Sequence, residues 1–376
     1  MQFRDLGRQY DRLRQDIDKA VMDVMASSKF IMGPQVAQLE ETLARYVGVK
    51  HCITCGNGTD ALTLALKAWG IGGGDAVFVA DFTFFASAEV VSLEGATPVF
   101  VDVDPHTFNI SPDALRQTIE ATLQAGRLTP RAIVAVDLFG LPADYDALRA
   151  IANEYSLLLL EDGAQGFGGN IHGRRSCSFG DISTTSFFPA KPLGCYGDGG
   201  AVFTDNDEWA DLMRSYRIHG KGHDKYDNVR IGLNSRLDTI QAAILQVKMR
   251  AFEEYELEAV NAVAEKYTEL LKDCVCTPYV PAGYLSSWAQ YTLTLKDRSQ
   301  RDALQAHLKT LGIPTMVYYP KPMHSQTVFA DANGSATLCP VSEDLSSRVL
   351  SLPMHPYLTT EEIQQVADAV KEFLTK

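Results

Sequence analysis

The sequence predicts an α/β fold with two domains, a large one built on a mostly parallel sheet and a smaller α+β one. The first observation is that seven short apolar runs alternate with helical stretches between residues 51 and 205. Parallel strands that helices cover on both faces have such near-continuous apolar sequences. The second is a change of pattern after residue 275, where short strands and helices mix. We therefore expect a large domain over residues 1–245 and a small C-terminal domain over residues 246–376.

The elements of the large domain follow from local patterns. An N-terminal arm precedes a helix, since Ile17, Val21 and Val24 recur at helical spacing, and Phe30–Pro34 breaks that pattern before a helix over 36–47. The predicted strands are His51–Thr54, Ala76–Val79, Thr97–Val103, Ala132–Leu138, Leu157–Leu160, Thr184–Phe188 and Ala201–Thr204. The predicted helices between them are Asp60–Ala68, Ala86–Glu94, Pro112–Gln124 and Tyr145–Tyr155.

The rest of the chain predicts helices first and a mixed domain afterwards. Residues 235–271 are rich in helix formers and contain no proline, which indicates one or two helices leaving the large domain. The small domain is then expected to hold strands Ala289–Leu295 and Thr315–Tyr319 and helices Gln300–Leu311 and Thr360–Leu374. Thr359 and Glu362 have the spacing of a capping box at the start of the last helix.

Composition excludes several classes of function. The chain has 376 residues and a net charge of −13, which argues against nucleic-acid binding. No apolar run approaches the roughly 20 residues of a membrane helix, and the N-terminus lacks the layout of a signal peptide. Seven cysteines in a long chain fit a reducing cytoplasm. Cys52 and Cys55 are expected to be buried and structural, since no second pair completes four ligands, and we expect no metal site.

Lys191 lies in the most informative stretch of the chain. Pro189 and Pro192 flank it, and four glycines follow within nine residues, so it cannot continue a helix. A turn at the edge of a sheet can desolvate a lysine, and a desolvated amine can attack a carbonyl. A solvated surface loop would be the simpler interpretation for a random lysine. Three other segments favour the reactive interpretation here.

The first of these segments is the acidic pair Glu161 and Asp162 at the end of a predicted central strand. Because side chains alternate along a strand, only one of the two carboxylates is expected to face a ligand. A buried carboxylate needs a cationic partner, and the protonated pyridine nitrogen of pyridoxal phosphate (PLP) is such a partner. Taken alone, a helix-capping aspartate or a metal ligand would explain the pair equally well.

The second and third segments offer groups for the rest of such a cofactor. In Gly56–Leu62, glycines followed by Thr59 and Asp60 at a helix start present free N–H groups to an anion, and Ser186 could add a hydroxyl. A plain N-cap by Thr59 or Asp60 is the alternative. Asp81–Phe85 holds three aromatic residues, one of which could stack on a flat ring. Core packing is the expected fate of at least two of them.

Together these segments resemble the DegT/DnrJ/EryC1/StrS family of PLP-dependent nucleotide-sugar aminotransferases. The resemblance covers essentially the whole chain and implies the type I, aspartate-aminotransferase-like fold of PLP enzymes. It also implies a homodimer whose active sites are shared between chains. The matching motifs are Phe30–Pro34, Gly56–Leu62, Glu161–Gln165, Ser186–Lys191, Gly232–Ala243, Tyr319–Pro320 and Ser351–Pro353.

The resemblance implies a role for each candidate residue. Lys191 would form the Schiff base with the cofactor, and Asp162 would pair with its pyridine nitrogen. The other implied cofactor contacts are Gly58, Thr59, Asp60 and Ser186 at the phosphate, Phe84 on the ring, Gln165 near the 3-oxygen, and Asn234 reaching the phosphate from the neighbouring chain. The implied substrate contacts are Met32, Gly33, Arg236 and Tyr319. Gly163 departs from the alanine or cysteine usual after that aspartate, with no expected change in chemistry.

The stretch Phe187–Gly200 resembles the branch of the family that aminates C3 of the sugar. Within it, the similarity is greatest to enzymes that use L-glutamate and UDP-linked 2-acetamido-3-keto-glucuronic acid, which implies a role in cell-surface polysaccharide such as O-antigen. The carboxylate and diphosphate of that substrate need cations. Arg236, Lys221, Lys225 and Arg230 lie in suitable loops, although Lys225 is more simply a free surface charge.

The expected reaction is a ping-pong transamination in which Lys191 moves a proton, first as base and then as acid. One alternative is a C3 or C4 transaminase of a UDP- or dTDP-linked keto-6-deoxysugar. Another is a catalytically idle PLP-binding regulator. A third is a sugar dehydratase, although histidine replaces the lysine in the dehydratases of this family. The intact lysine and its acidic partner favour transamination.

Overall fold

Seven strands form the central sheet that positions the candidate site. The computed structural model describes residues 1–224, 226–329 and 338–375, and every element below lies in these ranges. The strands are β1 His51–Cys55, β2 Asp75–Ala80, β3 Thr97–Val101, β4 Thr129–Val136, β5 Leu158–Asp162, β6 Asn170–Ile171, β7 Arg174–Arg175, β8 Ile182–Ser186, β9 Gly200–Thr204, β10 Tyr284–Leu285, β11 Tyr291–Thr294 and β12 Val349–Leu352. The helices are α1 Leu6–Ser27, α2 Pro34–Val47, α3 Gly58–Ala68, α4 Ala86–Leu93, α5 Pro112–Ala125, α6 Tyr145–Tyr155, α7 Asp207–Tyr216, α8 Thr239–Ala251, α9 Leu257–Leu271, α10 Arg298–Thr310, α11 Pro340–Arg348 and α12 Thr360–Leu374.

The large sheet is mostly parallel, as the sequence predicts. Its strand order is β1-β9-β8-β5-β4-β2-β3. Only β9 runs against its neighbours, β1 and β8, while β8, β5, β4, β2 and β3 are parallel to one another. Ligands of such sheets bind beyond the carboxyl ends of the strands. Because β5 and β8 are adjacent, Asp162 and Ser186 end neighbouring strands at that edge.

Helices cover both faces of this sheet, which explains the apolar strands. Along β9, Val202 joins the core formed with α3, α4, α5 and α6, whereas Ala201 and Phe203 join the core formed with α2 and α8. Each buried methylene contributes about 0.8 kcal/mol, so strands with two apolar faces stabilise both layers. The same burial holds Cys52 and Cys55 on β1 as free thiols, as expected.

Three strands of the large sheet end two residues earlier than predicted: β3, at Val101 rather than Val103, and the two strands β8 and β4. β8 ends at Ser186 rather than Phe188, because the Phe188 carbonyl accepts a hydrogen bond from the Lys191 N–H (2.8 Å) and closes a turn. β4 ends at Val136 rather than Leu138, and a short 3-10 turn follows at Leu138–Gly140. At β4 and β8 the polypeptide therefore leaves the sheet sooner than the apolar runs alone suggest, whereas β5 continues to Asp162, two residues beyond its predicted end.

The C-terminal part packs the two-stranded sheet of β11 and β12 against α9, α10 and α12. The predicted strand Thr315–Tyr319 is wrong, since only Met316 pairs, in an isolated bridge with Ser351. Pro314 and Pro320 flank this segment, and proline cannot donate to a ladder. The capping box at the start of α12 is confirmed, with Thr359 Oγ1 accepting from the Glu362 N–H at 3.2 Å.

The connection between the two parts is helical, as predicted. α8 and α9 continue into each other through the π-helical segment Phe252–Glu256. The expected boundary after residue 245 falls inside α8 and stays a prediction. Met323, Phe329 and Leu345 come after that boundary but pack in the core of the large sheet. None of the described helices is long and apolar enough to cross a membrane.

Candidate active site

Asp162 ends β5 with its carboxylate almost fully buried, at 5% exposure. Ser87 Oγ donates to its Oδ2 at 2.8 Å, and the Ala164 N–H donates to its Oδ1 at 3.2 Å. Burial raises the pKa of Asp162, against the opposing effects of these two hydrogen bonds and of the Lys191 charge. A carboxylate in this state is stabilised by a further cation. No described helix begins directly after it, so the helix-capping alternative is wrong.

The Glu161 side chain points to the opposite face of β5 from that of Asp162, as the alternation of side chains along a strand predicts. Its carboxylate accepts hydrogen bonds from the Cys177 N–H, the Phe179 N–H (2.7 Å) and Ser183 Oγ (2.8 Å). It is fully buried, and these donors stabilise its charge within the protein. Glu161 therefore fastens the chain between β7 and β8, and Asp162 is the member of the pair that faces the site.

Lys191 lies on the proline-flanked turn, and its side chain is partly buried. Burial lowers the pKa of its amine, the Asp162 charge raises it, and the Arg4 charge lowers it further. The two residues expected to act on one cofactor are thus close enough to influence each other's protonation. A buried lysine with a lowered pKa has more of its amine in the nucleophilic form. The solvated-loop interpretation does not fit this environment.

The turn after β1 forms a cradle for an anion. Asn57 Oδ1 accepts from the Asp60 N–H at 2.8 Å, so Asn57 caps α3 and the predicted cap by Thr59 or Asp60 is wrong. Among the described residues, the N–H groups of Gly58 and Thr59 have no protein acceptor. A Cβ on Gly58 would lie 2.7 Å from Ser186 Cβ. Glycine therefore allows the start of α3 to approach the Ser186 hydroxyl, which gives two N–H groups and one O–H in one place.

The aromatic segment after β2 divides as expected. Phe82 is buried, and Phe85 packs on Phe329 with ring centroids 5.5 Å apart. Phe84 stays 52% exposed, 6.1 Å from the ring of Tyr319. It is therefore the one aromatic residue of the three whose face remains open to a flat ligand.

Gln165 links two distant segments at the edge of the site. Its Nε2 donates to the Tyr319 hydroxyl at 3.1 Å, and its Oε1 accepts from the Phe139 N–H at 2.8 Å. Burial raises the pKa of Tyr319, so its hydroxyl remains protonated at neutral pH. Gln165 and Tyr319, 154 residues apart in the chain, thus belong to one polar group.

Two further predicted segments meet beside the anion cradle. The Gly33 N–H donates to Thr239 Oγ1 at 3.0 Å, and Met32 precedes it with a positive φ of 52°. A Cβ on Gly33 would lie 2.7 Å from Thr239 Cγ2, so this contact requires glycine. Ser235 Oγ accepts from the Gly56 N–H at 2.9 Å, which brings the exposed Asn234 next to the turn after β1.

Basic residues surround a broad opening nearby. Lys221 and Arg230 line an open concavity of about 820 Å³ together with residues 218–219, 226, 228–229 and 231–232, and Arg236 is half-buried four residues beyond it. Lys225, named as a possible cation, lies outside the described residues. The remaining cations are suited to an anionic substrate, since local positive charge can coexist with a negative total charge.

Sequence reasoning missed two contacts at the site. Ser87 donates to Asp162 from the first turn of α4, and Arg4 donates to the Lys191 carbonyl at 2.8 Å from the N-terminal arm. Ser87 follows the Asp81–Phe85 segment by only two residues, and this closeness to a predicted site segment could have identified it as a site residue. Arg4 lies 187 residues from its partner, and no local pattern points to that contact.

This arrangement fits a flat, phosphorylated aldehyde with a basic ring nitrogen. Lys191 has an amine that can react with an aldehyde. Among the described residues, no ion pair joins the buried Asp162 carboxylate to a cation, so it can pair with a protonated ring nitrogen. The cradle of Gly58, Thr59 and Ser186 provides hydrogen-bond donors for a phosphate. These groups converge at the carboxyl ends of β5 and β8, where an α/β sheet binds its ligands. The fold and these groups define a PLP-dependent enzyme of fold type I.

Comparison with known proteins gives the family. The model of the DegT/DnrJ/EryC1/StrS aminotransferase family matches residues 11–371. The chain is 44% identical to a UDP-2-acetamido-2-deoxy-3-oxo-D-glucuronate aminotransferase of Pseudomonas aeruginosa, over 98% of this chain and 99% of that protein. It is 43% identical to a pleiotropic regulatory protein of Geobacillus stearothermophilus, over 98% and 97%. A crystal structure of an aminotransferase of the family from Brucella abortus superposes with a TM-score of 0.97 at 50% identity and covers all of both chains.

The chain therefore belongs to the DegT/DnrJ/EryC1/StrS aminotransferase family, whose members depend on PLP. The resemblance inferred from the motifs is confirmed, and so are the fold type and the cofactor.

Proposed function

We propose that this enzyme transfers the amino group of L-glutamate to C3 of a nucleotide-linked keto-sugar. The best candidate substrate is UDP-linked 2-acetamido-2-deoxy-3-keto-glucuronic acid, and the product would serve cell-surface polysaccharide such as O-antigen. The observation that carries the chemistry is that the Lys191 amine lies close enough to the buried Asp162 carboxylate for each charge to shift the pKa of the other group. The relative named for the 3-oxo-glucuronate substrate, similar over nearly the whole chain, supports the choice of sugar.

In this proposal the two central residues divide the work. PLP, when bound, supplies an electron sink that makes the Cα proton of glutamate acidic. Asp162 would hold the proton on the pyridine nitrogen, because a buried carboxylate and a ring cation stabilise each other. The free Lys191 amine would take the proton from Cα of glutamate and pass it to the cofactor carbon, and in the second half-reaction it would carry a proton from that carbon to C3 of the sugar. Its lowered pKa would suit the amine to accept and then release a proton.

The surrounding residues would orient the cofactor. The N–H groups of Gly58 and Thr59 and the Ser186 hydroxyl would hold the phosphate, with Asp60 at the same helix start. Phe84 would cover one face of the ring, and Gln165 would lie beside the 3-oxygen. Each of these residues lies at the ligand edge of the sheet or contacts a residue that does.

The substrate pocket would form next to that edge. Met32, Gly33, Arg236 and Tyr319 would contact the sugar nucleotide, while Lys221 and Arg230 supply charge for the diphosphate or carboxylate. Metal is not part of this proposal. Seven free thiols are the form that cysteine takes in a reducing compartment, and we place the enzyme in the cytoplasm.

We also propose a homodimer in which Asn234 reaches the phosphate bound by the partner subunit. Large apolar side chains in or next to the segments of the predicted site are highly exposed: Ile231 is 88% exposed, Phe188 53% and Ile31 50%. Exposed apolar groups of this size are typical of an interaction surface when they lie together. A second copy of this chain would cover them, and the contact is expected to be isologous.

Complementation tests the shared site. The variants Lys191→Ala and Asn234→Ala would each be inactive alone, and their subunits are then mixed and allowed to exchange. If Asn234 acts in the partner's site, half of the dimers are hybrids with one intact site each, so about a quarter of full activity returns. Activity that stays absent after proven subunit exchange would mean that Asn234 acts within its own chain.

The covalent assignment is tested by trapping. Borohydride reduction of the PLP-loaded enzyme, followed by peptide mass spectrometry, should place the cofactor on Lys191. Lys191→Ala should abolish both the adduct and turnover, whereas the matched variant Lys221→Ala should keep the adduct. An adduct on another lysine would overturn the assignment. NMR of the product would show the new amine at C3, and an amine at C4 would favour a keto-6-deoxysugar transaminase.

A regulatory role is the second candidate, favoured by the relative named as a pleiotropic regulatory protein. The intact pair of Lys191 and Asp162 argues against an idle protein. Incubation of the loaded enzyme with glutamate decides the matter, since a transaminase releases 2-oxoglutarate in the half-reaction and an idle regulator does not. A dehydratase would instead release ammonia and a ketosugar rather than consume glutamate.

A further inference from the structure

The N-terminal arm connects the Lys191 turn to the C-terminal part of the chain. On one side, Arg4 Nη2 donates to the Lys191 carbonyl at 2.8 Å and lies 3.4 Å from the Pro192 carbonyl. On the other side, the Met354 N–H donates to the Phe3 carbonyl at 3.1 Å. One arm residue thus contacts the backbone that carries the reactive amine.

Residues just after Arg4 anchor the arm. Arg8 forms a two-pronged ion pair with Glu362 on α12, with both N–O distances 2.7 Å. Gln9 Nε2 donates to the buried carboxylate of Glu256 at 2.8 Å. Arg4 therefore approaches the turn from an arm that is fixed on both sides, and its guanidinium is held in place rather than free in solvent.

We propose that Arg4 is a positioning residue for Lys191, fixing the backbone of the turn and placing a permanent positive charge against the carbonyls of Lys191 and Pro192. The inference rests on the proposed function, in which Lys191 carries the cofactor. Two successive carbonyls, of Lys191 and Pro192, face one guanidinium, and hydrogen bonds from a charged donor are stronger than neutral ones. The turn also contains its own hydrogen bond, from the Lys191 N–H to the Phe188 carbonyl. The contacts of Arg4 with the Lys191 and Pro192 carbonyls would restrict the same backbone further.

The charge of Arg4 has a second effect on the same amine. Burial lowers the pKa of Arg4 to about 10, against the opposing charge of Glu256 and the Tyr357 hydroxyl, so Arg4 stays protonated at neutral pH. A fixed cation disfavours a second one nearby, and the Arg4 charge lowers the pKa of Lys191. Asp162 acts in the opposite direction. Arg4 thus offsets part of the effect of the carboxylate that the cofactor requires.

Three full-length variants separate geometry from charge. Arg4→Met removes both the hydrogen bonds of the guanidinium and its positive charge. Arg4→Lys keeps the charge but lacks the planar guanidinium. Arg8→Met removes an anchor of the same arm and leaves the residue that contacts the turn unchanged. Circular dichroism first establishes that each variant is folded. On protein freed of PLP, trace labelling with acetic anhydride over a pH series, read by peptide mass spectrometry, reports the titration of Lys191. Hydrogen exchange of residues 188–195 reports the order of the turn.

The proposal fixes the outcome for each variant. Arg4→Met should raise the pKa of Lys191 and speed exchange in the turn roughly tenfold, because a charge-assisted hydrogen bond is lost. Arg4→Lys should leave the titration of Lys191 unchanged but speed exchange. Arg8→Met weakens one anchor of the arm but keeps Arg4 and the Gln9–Glu256 bond, so it should change both readouts by less than Arg4→Met does. Unchanged titration and exchange in Arg4→Met would overturn the proposal, as would Arg8→Met matching Arg4→Met. Neither readout needs turnover, so a failure of the proposed function would appear separately in the borohydride mapping.

Discussion

Replacing Asp162 with asparagine should weaken PLP binding without destabilising the protein that lacks PLP. The substitution keeps the size of the side chain, and its amide oxygen can still accept the Ala164 N–H, which now lies 3.2 Å from Oδ1. The change therefore removes mainly the negative charge. Removing one partner of a buried ion pair costs about 3–5 kcal/mol, which corresponds to roughly 10²–10⁴-fold weaker binding.

The protein without PLP should respond in the opposite sense. Burial raises the pKa of Asp162, so the folded state holds its proton more tightly than the unfolded state, and ionisation above that pKa costs stability. Asp162→Asn removes this cost at neutral pH. Its melting temperature without PLP should equal or exceed that of the unchanged protein, while the stabilisation that PLP adds should shrink.

Titration of the apoprotein with PLP and thermal melts with and without PLP measure both effects. Ser87→Ala is the matched control, because it removes one hydrogen bond to Asp162, at 2.8 Å, and leaves the charge. We expect it to weaken PLP binding less than Asp162→Asn does, since a hydrogen bond to a charged group contributes about 1.5–3 kcal/mol. If Asp162→Asn binds PLP within roughly threefold of the unchanged protein, the carboxylate does not face the ring nitrogen.

Three further predictions concern other parts of the fold. Burial lowers the pKa of His355 to about 4, so folding stability should fall by roughly 3 kcal/mol as pH drops from 7 to about 4, and urea unfolding of His355→Gln should show a flatter pH dependence. Gly58→Ala should reduce the affinity for PLP, because its Cβ would crowd Ser186, whereas Gly72→Ala, with no neighbour within 3.6 Å, should not; equal titrations would contradict the cradle. An aromatic disulfide reagent should modify exposed Cys276 in the native protein but reach buried Cys55 only on unfolding, and rapid native labelling of Cys55 would refute its burial.

Two neighbouring residues at the end of β5 have different roles at the candidate site, since one faces the ligand and the other holds the adjacent backbone. Asp162 faces the ligand edge, while the Glu161 carboxylate accepts from four donors and holds the chain between β7 and β8. The same division recurs after β1, where Asn57 caps α3 and leaves the N–H groups of Gly58 and Thr59 for an anion. In both places a structural residue satisfies the local backbone, and its neighbour remains available to a ligand.

Local patterns in the sequence determine the elements and most of the candidate residues. Apolar runs predict the seven strands because a sheet covered on both faces must bury every position, and the capping box of Thr359 and Glu362 predicts the start of α12 because it uses only four consecutive residues. Alternation is equally local, and it correctly assigns Glu161 and Asp162 to opposite faces.

Only the tertiary structure decides which distant groups share one environment. The contact of Arg4 with the Lys191 carbonyl, the bond between Gln165 and Tyr319 and the failure of Thr315–Tyr319 to form a strand all depend on how remote segments pack. Protonation belongs to the same level, because burial and neighbouring charges together lower the pKa of Lys191 and raise that of Asp162. A sequence specifies these residue types, but the electrostatic balance between them arises from distances that exist only in the folded chain.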